Sequence, residues 1–186
     1  MIGLGTDPGF AFVGFAVVDF MATSTRVLHH ETFRTGSAEA DETRLDLIAD
    51  RLADLVERFN PAFLAYENQA IVEAAKHARR RSDPQAELAS NFASCRVHEV
   101  AGVVRCTGRF YDLPVYVEAP NSVKVAVLGR GGGRAKKAAV KEAVQRIFRI
   151  AQLSEHAADA IAIAISGARK HRRDRVLLRE HSDLIH

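Results

Sequence analysis

The sequence predicts an α/β domain built on a five-stranded mixed sheet, three strands antiparallel and then two parallel, with helices on its flanks. Three observations predict it. Two apolar runs, Met1 to Thr6 and Phe12 to Val18, flank the turn Pro8-Gly9 and read as a hairpin. At Asp41 the hydrophobic period changes from that of a strand to that of a helix. Further on, the short continuous apolar run Ala62 to Glu67 has the mark of a strand covered on both faces, and Leu113 to Glu118 reads as another short strand.

Side chains alternate along the first strand, so Ile2, Leu4 and Thr6 share one face while Gly3, Gly5 and Asp7 share the other. Asp7 is expected above small residues, with room beside it. A carboxylate ending so apolar a strand must be paired, solvated in a cleft or bound to a metal, because an unpaired buried charge costs several kcal/mol or more. Taken alone, Asp7-Pro8-Gly9 is also a common turn signal. Arg26 to Thr35 reads as a third, more exposed strand, and three strands in succession pair antiparallel.

Leu45, Ile48, Leu52, Leu55, Val56 and Phe59 then recur at helical spacing, with Asp41 or Thr43 as the cap and Asn60-Pro61 as the stop. The run that follows ends in a second acid, Glu67. Residues 68–83 have no regular pattern and read as a basic loop carrying Lys76, His77, Arg79, Arg80 and Arg81. Pro84 opens a long helix with apolar residues on more than one face, as expected of a helix that meets the core on one side and a second subunit on another. A homodimer is the simplest inference.

Leu113 to Glu118 is the last strand, and Ser122 to Leu128 a short helix ended by Gly129. The glycine-rich basic loop Arg130-Gly131-Gly132-Gly133-Arg134 leads to a helix from Ala135 to about Phe148, with Lys136, Lys137 and Lys141 in its first turns. Cations there oppose the helix dipole, so an external anion such as a phosphate backbone explains them better than stability does. A final helix capped by Ser154 carries His156 and Asp159 on one face. Residues 1–168 are taken as one domain and residues 169–186 as a basic tail, read as a frayed helix extension.

The net charge of the 186 residues is only +3, but the basic residues gather at Lys76–Arg81, Arg130–Lys141 and Arg169–Arg175. Each cluster alone suits a solvated face; three of them beside candidate acids suit nucleic acid. Cys95 and Cys106 are too few and too oddly spaced for a disulfide scaffold or a zinc site, which implies a reducing cytoplasm. No run reaches the ~18 apolar residues of a membrane span, and no basic leader precedes the first strand, so neither export nor anchoring is expected.

Asp7, Glu67, His156 and Asp159 together form an oxygen-rich set with one imidazole, brought by strand ends and a helix start to one edge of the sheet. Three carboxylates crowd together ionised only with a counter-charge, and two Mg²⁺ or Mn²⁺ ions supply one suited to phosphodiester hydrolysis. The competing reading is separate: helix acids favoured by the dipole, a surface histidine and two salt-bridged strand ends.

On these residues the chain resembles a known family. Gly5-Thr6-Asp7-Pro8-Gly9 with Val13-Gly14-Phe15, the strand-end Glu67, Asn121-Ser122-Val123-Lys124, and the run His156-Ala157-Ala158-Asp159-Ala160 are similar to the RuvC family of Holliday-junction resolvases, in order and over about residues 1–168. The last run is the most specific piece, while the Asp-Pro-Gly opening is shared with other RNase H-like and actin-like folds. The resemblance implies an RNase H-like fold, a homodimer, and metal-dependent paired nicking of a four-way DNA junction. It implies that Asp7 bridges two metals, that Glu67 and Asp159 each hold one, and that His156 stands where many members have aspartate. It also matches Lys124 and Lys137 to lysines that contact DNA; Lys136, Arg130, Arg134, Lys76, Arg79, Arg80 and Arg81 extend that basic surface. The chain departs from the pattern at Ala70, where many bacterial members carry an aromatic wedge; a divergent, phage-borne relative fits this better than a housekeeping copy. The main rival is a broader nuclease of flaps, forks and three-way branches on the same fold; a DNA-binding protein with a dead site would need one of the carboxylates gone, and none is, while an actin-like ATPase is discarded because that fold needs two such domains and far more chain.

Overall fold

The computed structural model describes residues 1–68 and 84–183, the side chains of 84–93 and 178–183 excepted. Ala70 and the basic residues Lys76, Arg79, Arg80 and Arg81 lie outside the described residues. Strands β1 (Ile2–Asp7), β2 (Phe12–Phe20) and β3 (Thr25–Arg34) form an antiparallel meander. β4 (Leu64–Glu67) runs parallel to β1, and β5 (Val115–Glu118) parallel to β4, giving the sheet order β3-β2-β1-β4-β5. The expected fold class is the observed one: three strands antiparallel, then two parallel.

Helices α1 (Asp41–Phe59) and α2 (Pro84–Phe110) cover one face, and α3 (Pro120–Leu128), α4 (Lys137–Phe148) and α5 (Glu155–Asp183) the other. β2 shows why both faces need cover. Val13, Phe15 and Val17 pack under α1 and α2, while the alternate residues Ala16, Val18 and Phe20 pack under α5. Ile48, Leu52, Leu55 and Val56 bury the apolar stripe of α1, and Asn60, with φ 45°, ends the helix in the left-handed region where asparagine is tolerated.

Local details differ from the sequence reading. α1 starts from Ala40 with no side-chain cap, because the Asp41 carboxylate instead accepts two hydrogen bonds from Arg96 of α2, at 2.7 and 3.0 Å. α3 begins at Pro120, two residues early, since proline's missing N–H costs nothing in a first turn. The glycine-rich loop holds a single 3-10 turn, Gly132–Arg134, and α4 begins only at Lys137. α5 does not loosen at residue 168. It continues to Asp183, Lys170 pairs with Glu118 at 2.9 Å, and His171 is buried with its ring stacked on Phe63, centroids 5.2 Å apart. Residue 168 is therefore not where packing ends. Among the described residues no helix is long and apolar enough to cross a membrane.

Candidate active site

Asp7 closes β1 opposite Gly14 of β2 and is only 3% exposed. The room expected beside it is filled. A Cβ on Gly5 would lie 2.1 Å from the Ala160 carbonyl oxygen, and one on Gly14 would lie 2.1 Å from that of His156. The glycines thus let the backbone of α5 rest directly on the sheet, and this contact carries His156 to Asp7. The imidazole Nδ1 lies 2.8 Å from Asp7 Oδ2, and the ring stacks on Phe12, centroids 5.9 Å apart and planes 12° apart. Ser154 fixes the start of the helix: its Oγ accepts from the Ala157 N–H at 3.1 Å and meets Thr32 Oγ1 at 2.5 Å.

One turn further on, Asp159 accepts a 3.0 Å hydrogen bond from Lys137 Nζ at the first residue of α4. Glu67 ends β4 in the strand next to Asp7. Burial, then the negative charges of Asp7 and Asp159, push its carboxyl up to about 7, against weaker opposition from Lys137 and Lys124. Burial also raises Asp159, with Asp7 adding to the effect, although Lys137 pulls the other way. On Lys137 burial opposes the charge, but Asp159, Asp7 and Glu67 outweigh it and raise its pKa. The Asp7 hydrogen bond raises His156 despite burial. Four expected residues therefore form one electrostatic unit with a lysine set among them.

The neighbouring strand shows the contrast. Glu118 on β5 stands in register with Glu67 but is fully buried, bonded to the Ser166 hydroxyl and paired with Lys170, so its charge is satisfied within the fold. Lys124 donates to the Ala135 carbonyl at 2.7 Å, which ties the glycine-rich loop to α3, and it is near enough to act on Glu67. Lys136 precedes α4, and Arg130 and Arg134 lie in the loop before it.

Among the described residues no three acidic, histidine or cysteine side chains stand ready-made around one cation position. His156 and Lys137 hold oxygens of Asp7 and Asp159 that a cation would use. The donor chemistry nonetheless fits a hard divalent ion: three carboxylates within mutual electrostatic reach, one of them pushed up by burial and by the charges of the other two.

The partner of Lys137 and the aromatic seat of His156 were not read from the sequence. Phe12 carried a signal, an aromatic at a strand start on the Gly14 face, two residues from it. The turn after Asp7 is also braced in a way the sequence hid: the guanidinium groups of Arg44 and Arg96 both lie over the Phe10 ring, at 4.1 and 5.1 Å from its centre, and Arg44 donates to the Phe10 carbonyl.

The family model of crossover junction endodeoxyribonuclease RuvC matches residues 3–82 and 85–167. A crossover junction endodeoxyribonuclease RuvC of Thermotoga petrophila is 30% identical over 175 residues, covering 93% of this chain and 95% of that protein. The Thermus thermophilus RuvC structure superposes with a TM-score of 0.74 at 28% identity over 94% of this chain and 97% of that one. The structure of that protein in complex with Holliday junction substrate gives 0.75 at 30% identity over 94% and 96%.

Proposed function

This chain belongs to the RuvC family, and from that membership and the coupled acids of its site we infer that it is a crossover junction endodeoxyribonuclease that resolves four-way DNA junctions by paired, metal-dependent nicks. The observation that carries the chemistry is Glu67, driven to about 7 by burial and by Asp7 and Asp159. A fold keeps such mutual repulsion where a cation is to be bound.

Asp7, Glu67, Asp159 and His156 would hold two Mg²⁺ or Mn²⁺ ions, which when bound supply a polarised phosphodiester and an activated water. The chain's own groups do the rest. Asp7 and the Phe12 ring orient His156, whose imidazole offers a nitrogen donor when neutral. Lys137, bonded from α4 to Asp159, balances the acids in the absence of a cation and can turn to a phosphate once Asp159 is engaged elsewhere. Lys124, Lys136, Arg130 and Arg134 serve as phosphate contacts, and the basic sequence Lys76, Arg79, Arg80 and Arg81 adds to them. Two active sites on a symmetric four-way substrate call for a homodimer, and α2, with apolar residues on several faces, is the element that suits the contact. Free, exposed Cys95 and Cys106 suit a reducing compartment, the cytoplasm.

The test is cleavage of labelled four-way, three-way and linear duplex DNA by wild type and Asp7→Asn with either metal. Paired nicks on the four-way substrate, abolished in the variant while junction binding persists, are expected, because phosphate contacts supply most of the affinity. Equal cutting of all three substrates would replace junction resolution by a broader branch nuclease, and cleavage at wild-type rate by Asp7→Asn would remove this site from the chemistry.

A further inference from the structure

At the end of the sheet remote from Asp7, two adjoining cavities of about 370 and 250 Å³ share Thr25, Ile147 and Phe148. They form one groove between the β2–β3 turn, the last turn of α4 and the middle of α5. Its separation from the active site follows from the elements that span both. β2 runs from Phe12, stacked on His156, to Phe20 in the groove, about 26 Å at the rise of a strand. α5 runs from His156 to Arg169, about 20 Å at the rise of a helix.

The groove combines an apolar floor with a rim of one sign. Ile147 is 53% exposed although α4 buries Val140, Ala143 and Val144 on its inner face. The β2–β3 turn beside it exposes Met21. Four arginines line the two cavities, Arg26 and Arg149 in one and Arg169 and Arg172 in the other, and no aspartate or glutamate lines either. Arg169 is committed to the Ala126 carbonyl and Arg172 lies over the Phe20 ring, but both keep their charge at the rim.

We propose that this groove is a docking site for a short acidic peptide segment of a partner protein, whose bulky apolar side chains enter the two cavities while its carboxylates meet the four arginines. Two alternatives fit less well. A DNA backbone would satisfy the arginines but leave the apolar floor uncovered. A second copy of this chain, packed symmetrically, would set the four guanidinium groups against the same four. An acidic segment with apolar anchors matches both features, with charge setting specificity and encounter rate and the anchors supplying buried area. The proposal stands apart from the nuclease reading, since no group of the cleavage site takes part.

Fluorescence anisotropy of the full chain with a fluorescein-labelled peptide, Asp-Glu-Asp-Phe-Asp-Glu-Leu-Asp, tests it. Saturable binding is expected, weakened about tenfold or more when alanine replaces the phenylalanine and leucine of the peptide, and lost when lysine replaces its acids. Arg149→Glu and Arg172→Glu should each weaken binding about tenfold, and Ile147→Asp at least as much; these side chains are at the surface, so each variant should melt with wild type. Excess four-way junction should leave the peptide bound. No saturable binding, binding indifferent to all three substitutions, or displacement of the peptide by junction DNA would each overturn the proposal, the last by making the groove part of a nucleic-acid track.

Discussion

Replacing Glu67 with glutamine should stabilise the metal-free protein, and should do so only above the pH at which an ordinary carboxyl ionises. Glu67 holds its proton up to about 7 against an ordinary 4.5. At about 1.4 kcal/mol per pKa unit this rise corresponds to roughly 3 kcal/mol. The folded state binds the proton more tightly than the unfolded chain does. The associated stability is therefore complete below pH 4.5 and is lost as pH climbs through about 7. Glutamine stays neutral throughout. Glu67→Gln should match wild type near pH 4.5 and exceed it by about 2–3 kcal/mol near pH 8 in the presence of a chelator. For a chain of this size that is a rise of roughly 5–10 °C in Tm. Thermal unfolding in EDTA across that pH range, both proteins side by side, reads the difference directly, since other titrating groups largely cancel. Millimolar Mg²⁺ or Mn²⁺ should close the gap by stabilising wild type alone. A gap that is flat with pH, or that metal leaves unchanged, would refute the picture of Glu67 as the strained member of a carboxylate cluster.

Two further outcomes follow from the same geometry. Because Asp7 raises His156, the neutral imidazole needed for metal binding is reached only above its ordinary 6.5. The acid limb of cleavage should lie above that value in wild type, and should move down in His156→Asp together with a shift of preference from Mn²⁺ toward Mg²⁺; rate–pH profiles in each metal that coincide for the two proteins would exclude His156 as a ligand. Gly5→Ala would place a Cβ 2.1 Å from the Ala160 carbonyl oxygen and 2.7 Å from the Ala164 nitrogen, both backbone, so α5 must lift from the sheet. A loss of about 3 kcal/mol or more, read as a fall in Tm of at least about 6 °C, is expected, and an unchanged melt would show that the helix does not bear on β1 there.

The elements that the sequence disclosed are those whose signal is local. The hairpin about Asp7, the stripe of α1, the stop at Asn60 and the cap at Ser154 each rest on a few neighbouring residues whose period or turn chemistry dictates the backbone. Gathering Asp7, Glu67, His156 and Asp159 was also legible, because parallel strand ends and a helix start meet at one edge of the sheet. What escaped depends on long-range side-chain choice. Asp41 could cap α1 or reach Arg96, 55 residues away, and only the packing of α2 on α1 decides it. The Lys137–Asp159 pair, the Phe12 seat of His156 and the burial of Glu118 against Lys170 are of the same kind. Glu67 and Glu118 look alike as strand-end acids, yet Glu67 is half-buried beside two further carboxylates while Glu118 meets Lys170 and the Ser166 hydroxyl, a difference set by the side chains that α5 brings to each strand end.

The seating of α5 on Gly5 and Gly14 also bears on how the active site ages under mutation. Where a helix is held off a sheet by side chains, each core substitution changes the spacing by some fraction of an ångström, and whatever the helix carries drifts with it. Here main chain touches main chain at the level of Asp7 and again at that of Ala160. The offset between Asp7 and the pair His156 and Asp159 is thus referenced to the backbone, like two parts machined to a common datum. Apolar residues deeper in the same layer, such as Val18 or Ile161, are then free to exchange volume among themselves across distant relatives without retuning the gap that the chemistry uses.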